Sequence, residues 1–486
     1  MTGIDDAINE AFRPIATAVV NFVFFSVPIG EAELPLIVVW LIAGALFFTV
    51  YLRLINIRGF LHAIRIVIGK EDKGSGAPGE VSHFQALTTA VSGTVGVGNI
   101  THVAVAISIG GPGATFWLIV AGFLGMASKF VECTLGVKYR QINADGSVSG
   151  GPMFYLDKGL AELGLPILGK SLAWYYAVCI ILACLGAGNM FQANQAYVQF
   201  VNVTGGESSM FATRGWLFGS ILAILTALVI IGGIRSIARV TSKLVPFMAL
   251  LYVSTALVVI GANAAALPGA LVTIVREAFS PEGVTGGMFA VLILGFRRAA
   301  FSNEAGIGSA AIAHSAVRTK EPLTQGFVAM LEPFIDTVVI CTITALVITL
   351  TVYDPALLND GVISGVELTS SAFASVIPWF PYVLAVVVIL FAYSTMIAWS
   401  YYGLEGFIYI FGPKRWAKVT FNSIFCLFVI IGCTMELDTV LDFSDAMIFA
   451  IALANVLGLY LLVPVVKREL DDYWARKRSD ARAPPR

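Results

Sequence analysis

Runs of roughly twenty apolar residues, enough to cross a hydrocarbon core about 30 Å thick, recur about eleven times along this chain of 486 residues. The pattern predicts spans over 34–55, 84–109, 113–139, 171–202, 213–231, 236–261, 283–313, 320–351, 378–411, 415–434 and 441–466. Two of these runs are punctured by glycine and polar residues. The first carries Ser92-Gly93-Thr94-Val95-Gly96-Val97-Gly98-Asn99 and the second Phe301-Ser302-Asn303-Glu304-Ala305-Gly306-Ile307-Gly308-Ser309. Glycine weakens a helix by about 1 kcal/mol relative to alanine. At membrane depth, unwound backbone persists only where protein or an aqueous cavity surrounds it. Interrupted spans at corresponding places in two halves of a chain are therefore a pointer to a transporter's binding site. Close helix packing through small residues is the competing explanation.

The spacing of the two breaks defines an organisation. About 163 residues separate Gly98 from the end of the sixth span, and about 158 separate Gly308 from the end of the eleventh. Each half would hold five spans, an odd number, so the second half enters the membrane from the opposite side. The predicted fold class is an all-α polytopic membrane protein: about eleven transmembrane helices, one extra N-terminal helix plus 5+5 inverted repeats, with two broken helices. The corresponding segments are an interfacial N-terminal stretch (1–33) expected to form a short helix, the extra helix and its loop (34–83), two repeats (84–261 and 262–466) and a tail (467–486). Beyond Val466 the tail is expected to be a helix end followed by disorder that touches anionic lipid.

Composition agrees with a membrane chain, at 58% hydrophobic and 13% charged residues. The net charge of -1 hides an asymmetry. Of 30 Lys and Arg residues, 24 fall on one side of the predicted spans and three, Arg13, Arg214 and Arg276, on the other. Cations orient insertion by staying inside, so the N-terminus is expected outside and the C-terminus in the cytoplasm, in a multi-pass protein of the plasma (inner) membrane. Asp5, Asp6 and Glu10 precede any apolar run, unlike the basic start of a secretory signal. All six cysteines lie in predicted spans, which argues against a disulfide framework, and the four histidines are scattered. Gly164 to Ser171 satisfies the Walker A spelling, but a P-loop needs a parallel sheet before it. No hydrolase or metal-site signature accompanies it, and the chain reads as no enzyme. Neither a nucleic acid nor a protein partner is implied.

Polar residues at membrane depth need partners or water. Lys129 and Glu132 are three apart on one helix and are expected to pair. Glu332 and Asp336 share a face, either as proton or cation carriers or as contacts of Arg297 and Arg298. Asn189 and Gln192, also three apart, face a cavity or glue helices together. Opening the first span between Gly93 and Gly98 frees amides and carbonyls. The N-terminal end of the following half-helix suits a carboxylate. Carbonyl oxygens at the other end suit a hard cation, with Ser394 and Thr395 as hydroxyl ligands or as groups that bond back to their own helix.

The motifs Gly93-Thr94-Val95-Gly96-Val97-Gly98-Asn99-Ile100, Gly150-Gly151-Pro152-Met153-Phe154-Tyr155, Gly188-Asn189-Met190 with Gln192, Phe301-Ser302-Asn303-Glu304-Ala305-Gly306 with Gly308-Ser309, and Phe391 to Gly403 resemble those of the alanine or glycine:cation symporters, over residues 84–466. This family looks like a branch of the neurotransmitter:sodium symporter architecture. The resemblance implies sodium-coupled symport of a small neutral amino acid, alanine or glycine, by alternating access, with a proton-coupled carrier as the alternative. No cofactor is implied beyond sodium as the coupling ion. It further implies substrate contacts from Thr94, Gly96, Val97 and Gly98, from Phe301 and Ser302 in the second break, and from Asn189, Gln192, Thr395 and Trp399. Phe301 and Trp399 would limit the pocket volume. Sodium would take the carbonyls of Ser92, Val95 and Phe391 and the hydroxyls of Ser394 and Thr395. Val97 stands where the family usually has threonine, and Thr101-His102 where it has Ala-Gly. His102, titrating near neutrality, would also admit proton coupling.

Overall fold

Helices carry almost the whole structure, a computed structural model that describes residues 14, 17–29, 32–71, 76–144, 146–280, 287–354, 365–435 and 437–482. A hairpin of β1 (Ser26–Ile29) and β2 (Ala32–Pro35) leads into α1 (Leu36–Tyr51). A helical turn at Ile55–Arg58 and the short α2 (Phe60–Val67) precede the first broken span, α3 (His83–Thr94) and α4 (Gly98–Gly110). Then come α5 (Gly113–Lys138), a small ribbon of β3 (Gln141–Ile142) and β4 (Val148–Ser149), α6 (Pro152–Glu162), α7 (Pro166–Leu185), α8 (Phe191–Val203), α9 (Gly215–Ile230) and α10 (Gly233–Ala262). The rest of the chain forms α11 (Leu267–Phe279), α12 (Gly287–Asn303), α13 (Ser309–Ser315), α14 (Pro322–Ala329), α15 (Thr342–Thr351), α16 (Val366–Ala374), α17 (Phe380–Phe411), α18 (Arg415–Gly432) and α19 (Leu437–Arg482). Among the described residues, eight helical stretches are long and apolar enough to cross a membrane, and α1 and α9 are shorter apolar helices.

Both expected interruptions are present, and each has a local cause. Ser82 caps α3 reciprocally with Gln85, which satisfies two otherwise orphan amides. The chain leaves the helix at Val95, with φ -75° and ψ 92°, and re-enters it at Gly98, so the first break is narrower than the Gly93–Gly98 opening read from the sequence. The second break runs from Glu304 to Gly308. Glu304, Gly306 and Gly308 all have positive φ, a region that costs a side chain with a Cβ about 1–2 kcal/mol and glycine almost nothing. Phe301 and Ser302 are therefore not in the break, as expected from the resemblance, but in the last turn of α12.

Two π-helical turns widen other spans. Gly186–Met190 joins α7 to α8, and Phe334–Cys341 follows Pro333 between α14 and α15. Such turns rotate the side chains that follow them out of the α-helical register. Glu332 and Asp336, just before and within the second of these turns, take different partners: Glu332 accepts from Lys129 and Asp336 from Asn99 and Ser302.

The two ends of the chain correct two further expectations. Helix is found at 17–23, but the stretch after it is the hairpin. Its Pro28 and Pro35 disfavour helix, and Ser26 donates to Glu33 across it at 2.9 Å. Asp5, Asp6, Glu10 and Arg13 lie outside the described residues. The tail expected to be disordered after Val466 instead continues α19 to Arg482. Leu470, Tyr473, Trp474 and Lys477, at positions i, i+3, i+4 and i+7 of the helix, face the bundle. Tyr473 meets His62 of α2 at 2.6 Å, Trp474 packs against Phe327, and Lys477 and Arg476 pair with Glu71 and Glu321. Burial pushes the His62 imidazole below its ordinary pKa, and the hydrogen bond from Lys477 holds the Glu71 carboxyl below its own.

Candidate functional site

The first break abuts the middle of α17 through hydroxyl groups. Thr395 Oγ1 donates to the Ser92 carbonyl at 3.0 Å, and Ser92 Oγ donates to the Ser394 carbonyl at 2.7 Å. Ser394 Oγ donates to the Phe391 carbonyl at 2.9 Å. Four of the five expected sodium ligands are thus joined in one buried cluster, and the fifth, Val95, is the residue at which α3 ends. The alternative reading of Ser394, bonding back to its own helix, also holds, since Phe391 is three residues upstream. Thr395 does not bond back; it reaches across to the other helix. Hydroxyl protons here occupy the same carbonyl lone pairs that a hard cation would use. A cation would turn the hydroxyl lone pairs inward, as oxygen-ligand chemistry requires.

The expected substrate residues divide into three groups. Gly96 is pressed between α17 and α8: a Cβ there would collide with Thr395 Oγ1 and lie 3.4 Å from Gln192 Oε1. That Gln192 oxygen is buried with no hydrogen-bond partner among the described residues, while its nitrogen donates to the Ala187 carbonyl at 3.1 Å. Its free acceptor and the uncapped start of α4, at Val97 and Gly98, are suited to the two ends of a zwitterion. Asn189, by contrast, spends its amide nitrogen on the Phe425 carbonyl of α18 at 2.7 Å, and Asn194 does the same with Gly432 and Met435. The amide cluster is helix glue on the α18 side and leaves acceptors, the Asn189 and Gln192 oxygens, unpaired. Thr94 makes only long contacts with the carbonyls one turn back, at 3.4 Å.

Trp399 ties both breaks together. Its indole N–H lies 3.2 Å from the Gly93 carbonyl and 3.1 Å from Glu304 Oε1, and its ring lies on the backbone of Gly188, where a Cβ could not fit. Phe301 instead stacks on His102, with ring centroids 4.0 Å apart, and stands edge-on to Phe191. Ser302 donates to Asp336 Oδ2 at 2.8 Å, and Asn99 donates to Asp336 Oδ1 at 2.6 Å. The Asn99 oxygen accepts from the Gly96 amide at 2.9 Å. Asn99, Glu304 and Asp336 thus join Trp399 in linking one break to the other; Asn99 and Glu304 were not among the assigned site residues, and Asp336 was singled out only as a proton or cation carrier or a contact of the arginines. Asn99 and Glu304 sit inside the two break motifs, so their position was readable; which of many buried polar groups they meet was not.

Charged layers flank the breaks. On one side Arg297 and Arg298 both reach Asp445 of α19, at 2.8 and 3.3 Å, so they do not contact Glu332 or Asp336 as one reading had it. Arg298 also donates to His102 Nδ1 at 2.9 Å. A nitrogen that accepts from a guanidinium carries no proton of its own, so His102 Nδ1 is an acceptor in this arrangement. On the other side Lys129 pairs with Glu332 at 3.0 Å, both fully buried, and not with Glu132. Glu132 accepts from Asn455 at 2.9 Å, and the same Asn455 nitrogen holds the Gly306 carbonyl of the second break at 2.9 Å. The ammonium takes the carboxylate of the Leu331–Pro333 turn that follows α14, not the one three residues along its own helix. Among the described residues no cluster of His, Cys, Asp and Glu has the arrangement to hold a metal ion.

The comparisons with known proteins agree with this architecture. The crystal structure of MhsT in complex with L-phenylalanine superposes with a TM-score of 0.56, over 80% of this chain and 90% of that one, at 16% identity; the fold is shared. The sodium/alanine symporter AgcS of Methanococcus maripaludis is 37% identical over 452 residues, covering 92% of this chain and 96% of its own. The probable sodium/glutamine symporter GlnT of Bacillus subtilis is 32% identical, over 91% and 89%. The profile of the sodium:alanine symporter family matches residues 21–485. With a broken-helix bundle, a buried polar centre and this match along nearly its whole length, the chain belongs to the sodium:alanine symporter family and is a transporter of the cation-coupled amino-acid symport class, not an enzyme.

Proposed function

We propose that this protein carries a small neutral amino acid, alanine or glycine, inward together with sodium across the plasma membrane, through eleven crossings with the N-terminus outside. The observation that carries the reading is the cluster of Ser92, Phe391, Ser394 and Thr395, where carbonyls of α3 and α17 and hydroxyls of α17 converge beside Gly96. Sodium binds there with the help of the Val95 carbonyl. The substrate carboxylate lies at the start of α4 near Thr94, Val97 and Gly98, and the ammonium faces Gln192 and Asn189. Trp399, with Phe301 and Ser302 on the far side, bounds the volume left for the side chain. The two charged layers open in alternation, and coupling follows because each ligand favours one arrangement over the other.

Uptake of labelled alanine into proteoliposomes with and without an inward sodium gradient is the test. Accumulation that ignores sodium sinks the proposal. A second reading, proton coupling, is favoured by Asp336: it is buried at the junction of the breaks, accepts from Asn99, Ser302 and Thr337, and has no ion-pair partner within 4.0 Å among the described residues. If a pH gradient alone drives uptake and Asp336→Asn abolishes that drive, this reading replaces the first.

A further inference from the structure

Away from the breaks, where α1 ends, the chain makes an abrupt corner. Arg53 and Leu54 both adopt left-handed backbone conformations, with φ of 55° and 56°, although neither is glycine. Strain of this kind persists only where the surroundings over-determine it, and it concentrates at ligand clamps and functional turns. The corner sets Arg53 beside Arg58, whose guanidinium reaches the Arg53 carbonyl at 3.5 Å, and turns both toward the extension of α19. Together with Lys467, Asp471, Trp474 and Arg478 they line an open pocket of about 220 Å³.

The pocket's charge is unbalanced. Four cations surround one acid, and that acid, Asp471, is paired with Lys467. Arg53, Arg58 and Arg478 have no acidic partner within 4.0 Å among the described residues, and Arg478 is directed only to the Trp474 carbonyl at 3.2 Å. Three guanidinium groups left to solvent around one cavity suit a phosphate, which they bind bidentately.

A second observation selects the kind of phosphate. Leu54, Ile57, Leu61, Ile64 and Ile68 recur at spacings of three and four from the corner through α2, and all are exposed. Their neighbours His62, Ala63 and Ile66 are buried against the bundle. A helix with one face on protein and a second apolar face open lies in a membrane interface. The stripe continues onto α1 through the exposed Leu46, Phe47 and Val50. A soluble phosphate would use the pocket alone; a phospholipid would use the pocket and the stripe together. We propose that this corner is a binding site for an anionic phospholipid, with its phosphate held by Arg53, Arg58, Arg478 and Lys467, its acyl chains laid along Leu54, Ile57 and Leu61, and Trp474 at headgroup depth. By bridging α1 to α19, a bound lipid braces the helix that also supplies Asp445 and Asn455 to the charged layers and the second break. The site does not depend on which amino acid or ion is transported; only its assignment to the cytoplasmic leaflet rests on the proposed orientation.

The test uses the full-length protein in detergent. Its thermal unfolding midpoint is followed during titration with phosphatidylglycerol, phosphatidylcholine, glycerol 3-phosphate and inorganic phosphate, in the wild type and in Arg58→Gln/Arg478→Gln. Phosphatidylglycerol should raise the midpoint saturably, and the double variant should need at least tenfold more of it while unfolding normally in phosphatidylcholine. Raised salt should weaken the effect. An equal response to phosphatidylcholine, an unchanged titration in the double variant, or a full response to inorganic phosphate or glycerol 3-phosphate overturns the lipid site. If the double variant does not fold, native mass spectrometry of the wild type decides: retention of phosphatidylglycerol over phosphatidylcholine supports the site, and equal retention overturns it.

Discussion

Replacing Thr395 with alanine separates the cost of a lost cation ligand from the cost of a lost packing contact. In the structure Thr395 Oγ1 has one partner, the Ser92 carbonyl at 3.0 Å, and sits against the bare face of Gly96. Removing it leaves that carbonyl without its bond, a loss of about 1 kcal/mol net and up to about 3 kcal/mol if the oxygen is stranded dry. The missing methyl and hydroxyl add a small cavity, so folding should weaken by about 1–3 kcal/mol in all. For sodium the same oxygen is one of five proposed ligands. An interaction with a full charge is worth about 1.5–3 kcal/mol, which at about 1.4 kcal/mol per decade is about a 10- to 150-fold loss of apparent sodium affinity. Thr395→Ser keeps the oxygen and should recover most of the affinity while still lacking the methyl. The assay is initial alanine uptake into proteoliposomes as a function of external sodium, alongside thermal unfolding of each variant. If Thr395→Ala leaves the sodium titration unshifted, or if Thr395→Ser is as impaired as Thr395→Ala, the hydroxyl is a packing group and the site is wrongly placed.

Three other outcomes are expected. Gly96→Ala should fold but lose uptake by tenfold or more, since its Cβ enters the space of Thr395 Oγ1 and crowds Gln192; near-normal uptake would show that α17 yields there and that the contact carries no function. Lys129→Met should destabilise the protein by about 3–5 kcal/mol by stranding the buried Glu332, and Lys129→Met/Glu332→Gln should recover most of it, read by the unfolding midpoint; a double variant as unstable as the single would place the loss elsewhere. Acidification should release the α19 extension. His62 has an ordinary pKa of 6.5 and Glu71 one of 4.5, and both are lower when folded, so the unfolded chain takes up each proton first. Stability at this contact is therefore complete at neutral pH, falls below pH 6.5 through His62 and falls further below pH 4.5 through Glu71. Hydrogen exchange over residues 467–482, corrected for its intrinsic pH dependence, should rise accordingly, and a flat profile would refute the docking role of these two side chains.

Much of this protein could be read from one dimension, because crossing a membrane is a local requirement. Each apolar run must satisfy its own backbone hydrogen bonds as a helix, and the helix ends found at Gly113, Thr351, Phe411 and Arg415 lie within a residue or two of the composition changes. The breaks at Val95–Val97 and Glu304–Gly308 were visible for the same reason: a glycine weakens its own turn whatever surrounds it. Partner choice is not local. Lys129 could have met Glu132 on its own helix or Glu332 on another, and only the approach of α14 to α5 decided it. Asn189 and Gln192 share one helix face in the sequence, yet after the π-turn at Gly186–Met190 one amide holds α18 and the other faces Gly96. Asn99, Glu304, Asp336 and the indole of Trp399 join the two breaks across more than two hundred residues of chain, and the α19 extension stays helical because α2 and α14 lie where its aromatic face can pack. Hydropathy and glycine placement determine where helices start, stop and open; which buried charge or amide meets which depends on how those helices are brought together, and that is a property of the assembled bundle alone.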